Sequence, residues 1–126
     1  MGDSYVTVTI RNSADHSKSW EGLFLIDTRA IDSLVPRPYL EAIGLYPISQ
    51  RVYKRVDGSH IKIDITTAQI EFMGEIVGGT ILFGDAGAQP LLGMTALASV
   101  GIEVDLRNQR LKRRPAVRLK SIRRLG

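Results

Sequence analysis

The stretch Leu23-Phe24-Leu25-Ile26-Asp27-Thr28-Arg29-Ala30 decides how the rest of the chain is read. Four consecutive apolar residues predict a strand buried on both faces, and Asp27-Thr28-Arg29-Ala30 forms a polar break at its end. A carboxylate at the exit of a strand is held in place by the core behind it, as a catalytic group must be. Taken alone, Asp-Thr after a strand more often begins a turn or caps a helix, so the motif needs support from elsewhere in the chain.

Working outward, most of the sequence alternates at the period of short strands. Tyr5–Ile10 places Val6, Val8 and Ile10 on one face, and a polar loop from Arg11 to Ser19 joins it to a strand at Trp20–Ile26. Residues 30–36, carrying Ala30, Ser33 and Val35-Pro36, read as a loop. Pro38–Gly44 predicts a short helix, with proline in its first turn, glycine at its end, and Leu40 and Ile43 on a shared face. Ser49–Val56 and Ser59–Ile65 alternate around Asp57-Gly58, a strong hairpin signal. Thr66–Phe72 and Ile76–Phe83 pair around Met73-Gly74-Glu75, and Gly84–Gly87 is a turn. A short strand ends at Leu91-Leu92-Gly93, Met94–Val100 is a helix closed by Gly101, and Ile102–Leu106 with Arg110–Lys112 forms a last hairpin. About nine short strands and two small helices define a mainly β domain, barrel or sandwich.

The chain has 126 residues, the size of one domain, with 44% hydrophobic and 24% charged residues, a globular composition. No apolar run is long enough to cross a bilayer, and MGDSYVTVTI lacks a basic start followed by an apolar core. Neither a membrane span nor a secretion signal is expected, and a cytoplasmic location is. With no cysteine there is no disulfide, thiolate metal site or thiol nucleophile, and two histidines, His16 and His60, do not make a histidine-rich metal site.

The net charge of +4 is unevenly placed. Seven of the 17 basic residues lie in 112–126 (KRRPAVRLKSIRRLG), which has no acid, leaving 10 basic against 13 acidic residues in 1–111. The tail, taken as 114–126 beyond a domain spanning 1–113, reads first as a solvated end. Its charge leaves nucleic acid as an alternative partner, although no aromatic residue interleaves the cations to stack on bases. Val117, Leu119 and Ile122 suggest a short extra strand or a subunit contact.

Some 60 residues after Asp27 come Pro90-Leu91-Leu92-Gly93-Met94-Thr95-Ala96-Leu97 and then Val100-Gly101-Ile102-Glu103-Val104-Asp105. The pair FLIDTRA…LVP and PLLGMTAL…GIEVD resembles the retroviral-type (retropepsin-like) aspartic proteases, particularly their small bacterial relatives. The likeness covers roughly residues 20 to 113, and the hairpin Val52–Ile65 falls where that family has its flap. It implies a closed acid-protease barrel with one or two short helices, working as a homodimer on peptide or protein substrates without cofactor or metal. The chain contains one Asp-Thr motif of this kind, hence half a site. Two carboxylates about 3 Å apart share a proton, so one activates water while the other donates to the substrate carbonyl.

By this resemblance Asp27 is the catalytic aspartate, and Thr28 braces the two loops across the dimer. Arg29 and Ala30 lie beside the substrate groove. Asp57, Gly58 and Ser59 form the flap tip, and Gly93 packs behind the catalytic loop, where a side chain would push on it. Taken without the resemblance, Gly93 is a strand-to-helix turn and Thr28 a cap hydroxyl.

Arg29 is the departure, because the family has glycine there. Arginine adds bulk and a permanent cation two residues from Asp27. Turned inward it would favour the ionised carboxylate and oppose the shared proton; turned outward it would disturb only the backbone. Both arrangements predict reduced activity and differ in whether the dimer survives; the expectation is a folded protein of weak or absent activity with an intact dimer. A non-catalytic peptide- or protein-binding module is the alternative. Among the remaining residues, His60 reads as an exposed loop residue, Trp20 and Tyr39 as packing, Gly78-Gly79 as a strand irregularity, and Ser33 as a poor nucleophile without a nearby histidine.

Overall fold

The computed structural model describes residues 4–108 and 110–115. The tail reading therefore falls largely outside the described residues: Val117, Leu119, Ile122 and the cations beyond position 115 all do. Among the described residues, no helix is long and apolar enough to cross a membrane.

The elements run β1 (Tyr5–Arg11), β2 (Ser19–Ile26), β3 (Ser33–Pro36), α1 (Arg37–Ala42), β4 (Ser49–Lys54), β5 (His60–Phe72), β6 (Glu75–Gly84), β7 (Leu91–Leu92), α2 (Met94–Ser99), β8 (Ile102–Asp105) and β9 (Arg110–Arg113). The protein is mainly β, as the alternation predicts. Seven strands form one sheet in the order β1-β2-β7-β3-β6-β5-β4, and β1 pairs a second time, with β5, through Thr9↔Glu71, Ile10↔Ile70 and Arg11↔Gln69. β8 and β9 form a separate two-stranded sheet.

The expected alternation in β1 holds: Val8 and Ile10 are buried and Val6 is half-buried, while Tyr5 and Thr7 face out. The strand β2 departs from expectation. It is buried on one face only, with Phe24 and Ile26 inside and Leu23 58% exposed. An unbroken apolar run cannot by itself distinguish a two-sided burial from a strand whose outer face is merely apolar. The core gathers Val8, Ile10, Phe24, Val35, Leu40, Ile70, Ile81, Leu92 and Leu97, each almost completely shielded from water.

Two other boundaries move. The strands expected at Ser59–Ile65 and Thr66–Phe72 are one continuous β5. Its first half pairs with β4, its last residues pair with β1, and β6 runs along it from Ile65 to Phe72. Ser33–Pro36, read as loop, is the buried strand β3, parallel to β6 from Ser33↔Ile81 to Pro36↔Gly84. Four residues are too few to show a period.

The turns follow backbone chemistry. Met73 (φ 51°) and Gly74 (φ 75°) make a two-residue turn with both residues left-handed, the geometry that matches the twist of a hairpin. Glu75 accordingly belongs to β6. In the β4–β5 hairpin Gly58 (φ 89°) follows Val56 and Asp57, and its N–H donates to the Arg55 carbonyl at 2.9 Å. Trp20 stacks on Tyr39, with ring centroids 4.4 Å apart and 12° between the planes, consistent with a packing role.

Candidate active site

The course of the chain around β7 builds the site. β2 runs parallel to β7 through Leu25↔Leu91 and Ile26↔Leu92, and β3 runs antiparallel to it through Leu34↔Leu91. The segment between them, residues 27–32, must therefore arch over the C-terminal end of β7, where Gly93 begins the passage into α2.

Four hydrogen bonds fasten the arch to what lies beneath. Asp27 N–H donates to the Leu92 carbonyl at 3.3 Å, Met94 N–H to the Ala30 carbonyl at 2.9 Å, and Thr95 N–H to the Ile31 carbonyl at 3.1 Å. The fourth runs from Gly93 N–H to Ser33 Oγ at 3.0 Å, fully buried. Gly93 is enclosed so closely that a Cβ would lie 2.5 Å from both the Ile31 carbonyl oxygen and the Asp32 carbonyl carbon. Those are backbone atoms, which cannot swing aside as a side chain can, so only glycine fits. Gly93 thus sits directly beneath the loop that bears Asp27.

Asp27 stands at the rim of this arch with its side chain 18% exposed. Its Oδ1 accepts the Arg29 N–H at 3.0 Å and lies 3.4 Å from Arg29 Nε. Among the described residues Oδ2 has no hydrogen-bond partner. The Arg29 side chain is 91% exposed, so it points outward yet keeps one nitrogen at the carboxylate, between the two arrangements expected for it. Thr28 is exposed beside it and Ala30 half-buried, its N–H returning to the Asp27 carbonyl at 3.1 Å.

The hairpin tip makes its own hydrogen bonds. Asp57 Oδ1 accepts from Ser59 N–H at 2.8 Å and Ser59 Oγ at 2.6 Å, which holds the Asp57 carboxyl below its ordinary pKa. Val56, His60 and the three assigned tip residues are exposed. No hydrogen bond among the described residues links the tip to Asp27.

Sequence reasoning missed two features. Ser33 is 2% exposed and serves as the acceptor behind Gly93, a structural role its hydroxyl alone does not announce. The other is Asp32, whose Oδ2 accepts from Arg51 Nη1 and Tyr53 OH, both at 2.9 Å. Burial is the main cause lifting the Tyr53 hydroxyl above its ordinary pKa, and its bond to Asp32 adds to it. Arg51 and Tyr53 stand two apart on β4 and so share a face, a signal present in the sequence. Their common partner was not legible, because it lies 19 and 21 residues away.

A groove of about 440 Å³ is lined by Leu34, Arg37, Phe83 and Ala88 and, from both faces of the β4–β5 hairpin, by Ile61, Ile63, Lys62 and Asp64. Arg37 stacks over the Phe83 ring at 4.6 Å and pairs with Asp64 at 2.6 Å.

The architecture is similar in fold to a solved viral protease. The solution structure of the simian foamy virus (mac) protease matches it with a TM-score of 0.55 and 18% sequence identity, over 75% of this chain and 92% of that one. No family model matches the chain, and no curated protein does. At this identity the likeness establishes the fold; the chemistry must be argued from the residues.

Proposed function

We propose that this chain is one protomer of a retropepsin-like aspartic endopeptidase, weakened by Arg29. One observation carries the reading: Asp27 leaves a core strand on an arch that four hydrogen bonds and the Gly93 contact make rigid, with one carboxylate oxygen left for another partner. A second copy related by a two-fold axis supplies that partner, since an isologous interface brings the same residue from each protomer to the axis. The two carboxylates then hold one proton between them, the charged member activating water and the protonated member polarising the peptide carbonyl. The substrate is an extended peptide lying between the arch and the β4–β5 hairpin, and Thr28, exposed at the arch, braces the two loops. The second β1–β5 pairing supports the closed-barrel form.

The Arg29 contact favours a second reading, a non-catalytic peptide-binding module on the same fold. Arg29 places a permanent cation 3.4 Å from the Asp27 carboxylate, where the protease reading needs room for a second carboxylate and substrate. Restoring glycine decides between the two. Arg29→Gly is expected to raise cleavage of a peptide library at about pH 5 by at least tenfold, with Asp27→Asn in that background abolishing it. An Arg29→Gly protein that binds peptides without cutting them establishes the binding module instead. Sedimentation tests the assembly: the native chain is expected to be a dimer that Thr28→Ala weakens, and a strict monomer overturns the protease reading.

A further inference from the structure

We infer that Asp32 is a positioning residue that latches the β4–β5 hairpin onto the Asp27 arch and thereby sets the height of the groove roof. The inference rests on reading that hairpin as the flap of the proposed peptidase.

Among the described residues β4 pairs with β5 alone, through six residue pairs from Ser49↔Ile65 to Lys54↔His60. Residues opposite one another across an antiparallel pair share a face. Arg51, Ile63, Tyr53 and Ile61 therefore form one face, and Gln50, Asp64, Val52 and Lys62 the other. The first face must look toward the arch, because Arg51 and Tyr53 both reach Asp32 Oδ2. Ile61 and Ile63 on that same face line the groove, together with Gln50, Lys62 and Asp64 of the other face. The strand pair that carries the latch is thus also a wall of the groove, and moving one moves the other.

The hairpin is held at two levels. At its base Asp64 accepts from Gln50 Nε2 at 2.9 Å and from Arg37 Nη2 at 2.6 Å, tying the other face to α1. Further toward the tip, Asp32 holds the first face. Beyond Tyr53 and Ile61 the hydrogen bonds close within the tip itself. With the latch made, only the segment from Lys54 to His60 is free to swing; with it broken, the swinging segment lengthens back to Gln50 and Asp64. Asp32 is well placed for the role: its side chain is 13% exposed, whereas the Arg51 side chain is 46% exposed. One carboxylate oxygen that accepts both a cation and a hydroxyl forms a directional contact stronger than neutral hydrogen bonds.

Hydrogen exchange on the full-length chain tests this without relying on proteolysis. Asp32→Ala is expected to speed exchange of amides in 51–53 and 61–63 roughly tenfold or more, while Met94 and Thr95 stay protected. Tyr53→Phe, which keeps the ion pair, is expected to show a smaller change at the same amides. In carbon-13 tyrosine spectra Asp32→Asn is expected to move the Tyr53 titration. In the Arg29→Gly background, Asp32→Asn is expected to raise KM with kcat little changed. Unchanged hairpin exchange in both variants overturns the inference, as does a rise that spreads equally to Met94 and Thr95. A hairpin that loosens as expected in a protein that never cleaves peptide upholds the latch and removes the peptidase reading.

Discussion

Gly93 and Ser33, 60 residues apart, are joined by a buried hydrogen bond of 3.0 Å from the glycine N–H to the serine Oγ, directly beneath the arch that carries Asp27. The bond closes a stack in which β7 lies between β2 and β3, and the chain linking those two strands crosses over it. Whatever shifts Gly93 shifts the Asp27 loop.

Gly93→Ala should therefore do more than an ordinary glycine replacement. Its Cβ would meet the backbone of Ile31 and Asp32 at 2.5 Å, and overpacking against immovable atoms costs about 1–3 kcal/mol or more. Ser33→Ala leaves the Gly93 N–H buried without an acceptor, at a cost of about 1–3 kcal/mol. Urea unfolding midpoints measure both. Because the two changes act on one contact, the double variant is expected to lose less than the two losses added together. Additive losses would show that the Ser33 bond and the glycine contact are independent.

Acid should loosen the β1–β5 seam. Arg11 Nε donates to Glu71 Oε2 at 2.7 Å, and that bond is the main cause holding the Glu71 carboxyl below its ordinary pKa. A carboxyl lowered on folding contributes stability that is present above its unfolded pKa, about 4.3, and is lost as pH falls through the folded value. Native protein is accordingly expected to lose thermal stability as pH drops below about 5. Glu71→Gln should be less stable at neutral pH and show a shallower decline. Side chains of both partners are about a quarter exposed, which keeps the effect small. Identical acid profiles for the two proteins would rule out this pair as the source.

Gly22 offers a third test, through the single tryptophan. A Cβ at this position would lie 2.5 Å from the Trp20 ring, and the ring has Tyr39 stacked against it. Gly22→Ala is expected to displace the indole, shift its fluorescence to longer wavelength, and destabilise the protein by about 1–3 kcal/mol. An unaltered emission spectrum with native stability would mean that the ring has room to yield.

Much of the local architecture was legible in residue order alone. Alternation along β1 and around Asp57-Gly58, the proline and glycine bracketing α1, and the glycine after α2 each encode geometry that neighbours within a few residues determine. The motif pair around Asp27 and Gly93 was legible too, since its resemblance rests on which residues stand in which order. Tertiary structure decided what depends on distant strands meeting. It made β3 a strand, because β6 and β7 supply the hydrogen bonds that four residues cannot organise for themselves. It left Leu23 facing outward. It brought Asp32 under Arg51 and Tyr53, and placed Ser33 behind Gly93. Those contacts join segments that only the crossing of the chain over β7 and the folding back of the β4–β5 hairpin bring together, and no local period records such a meeting.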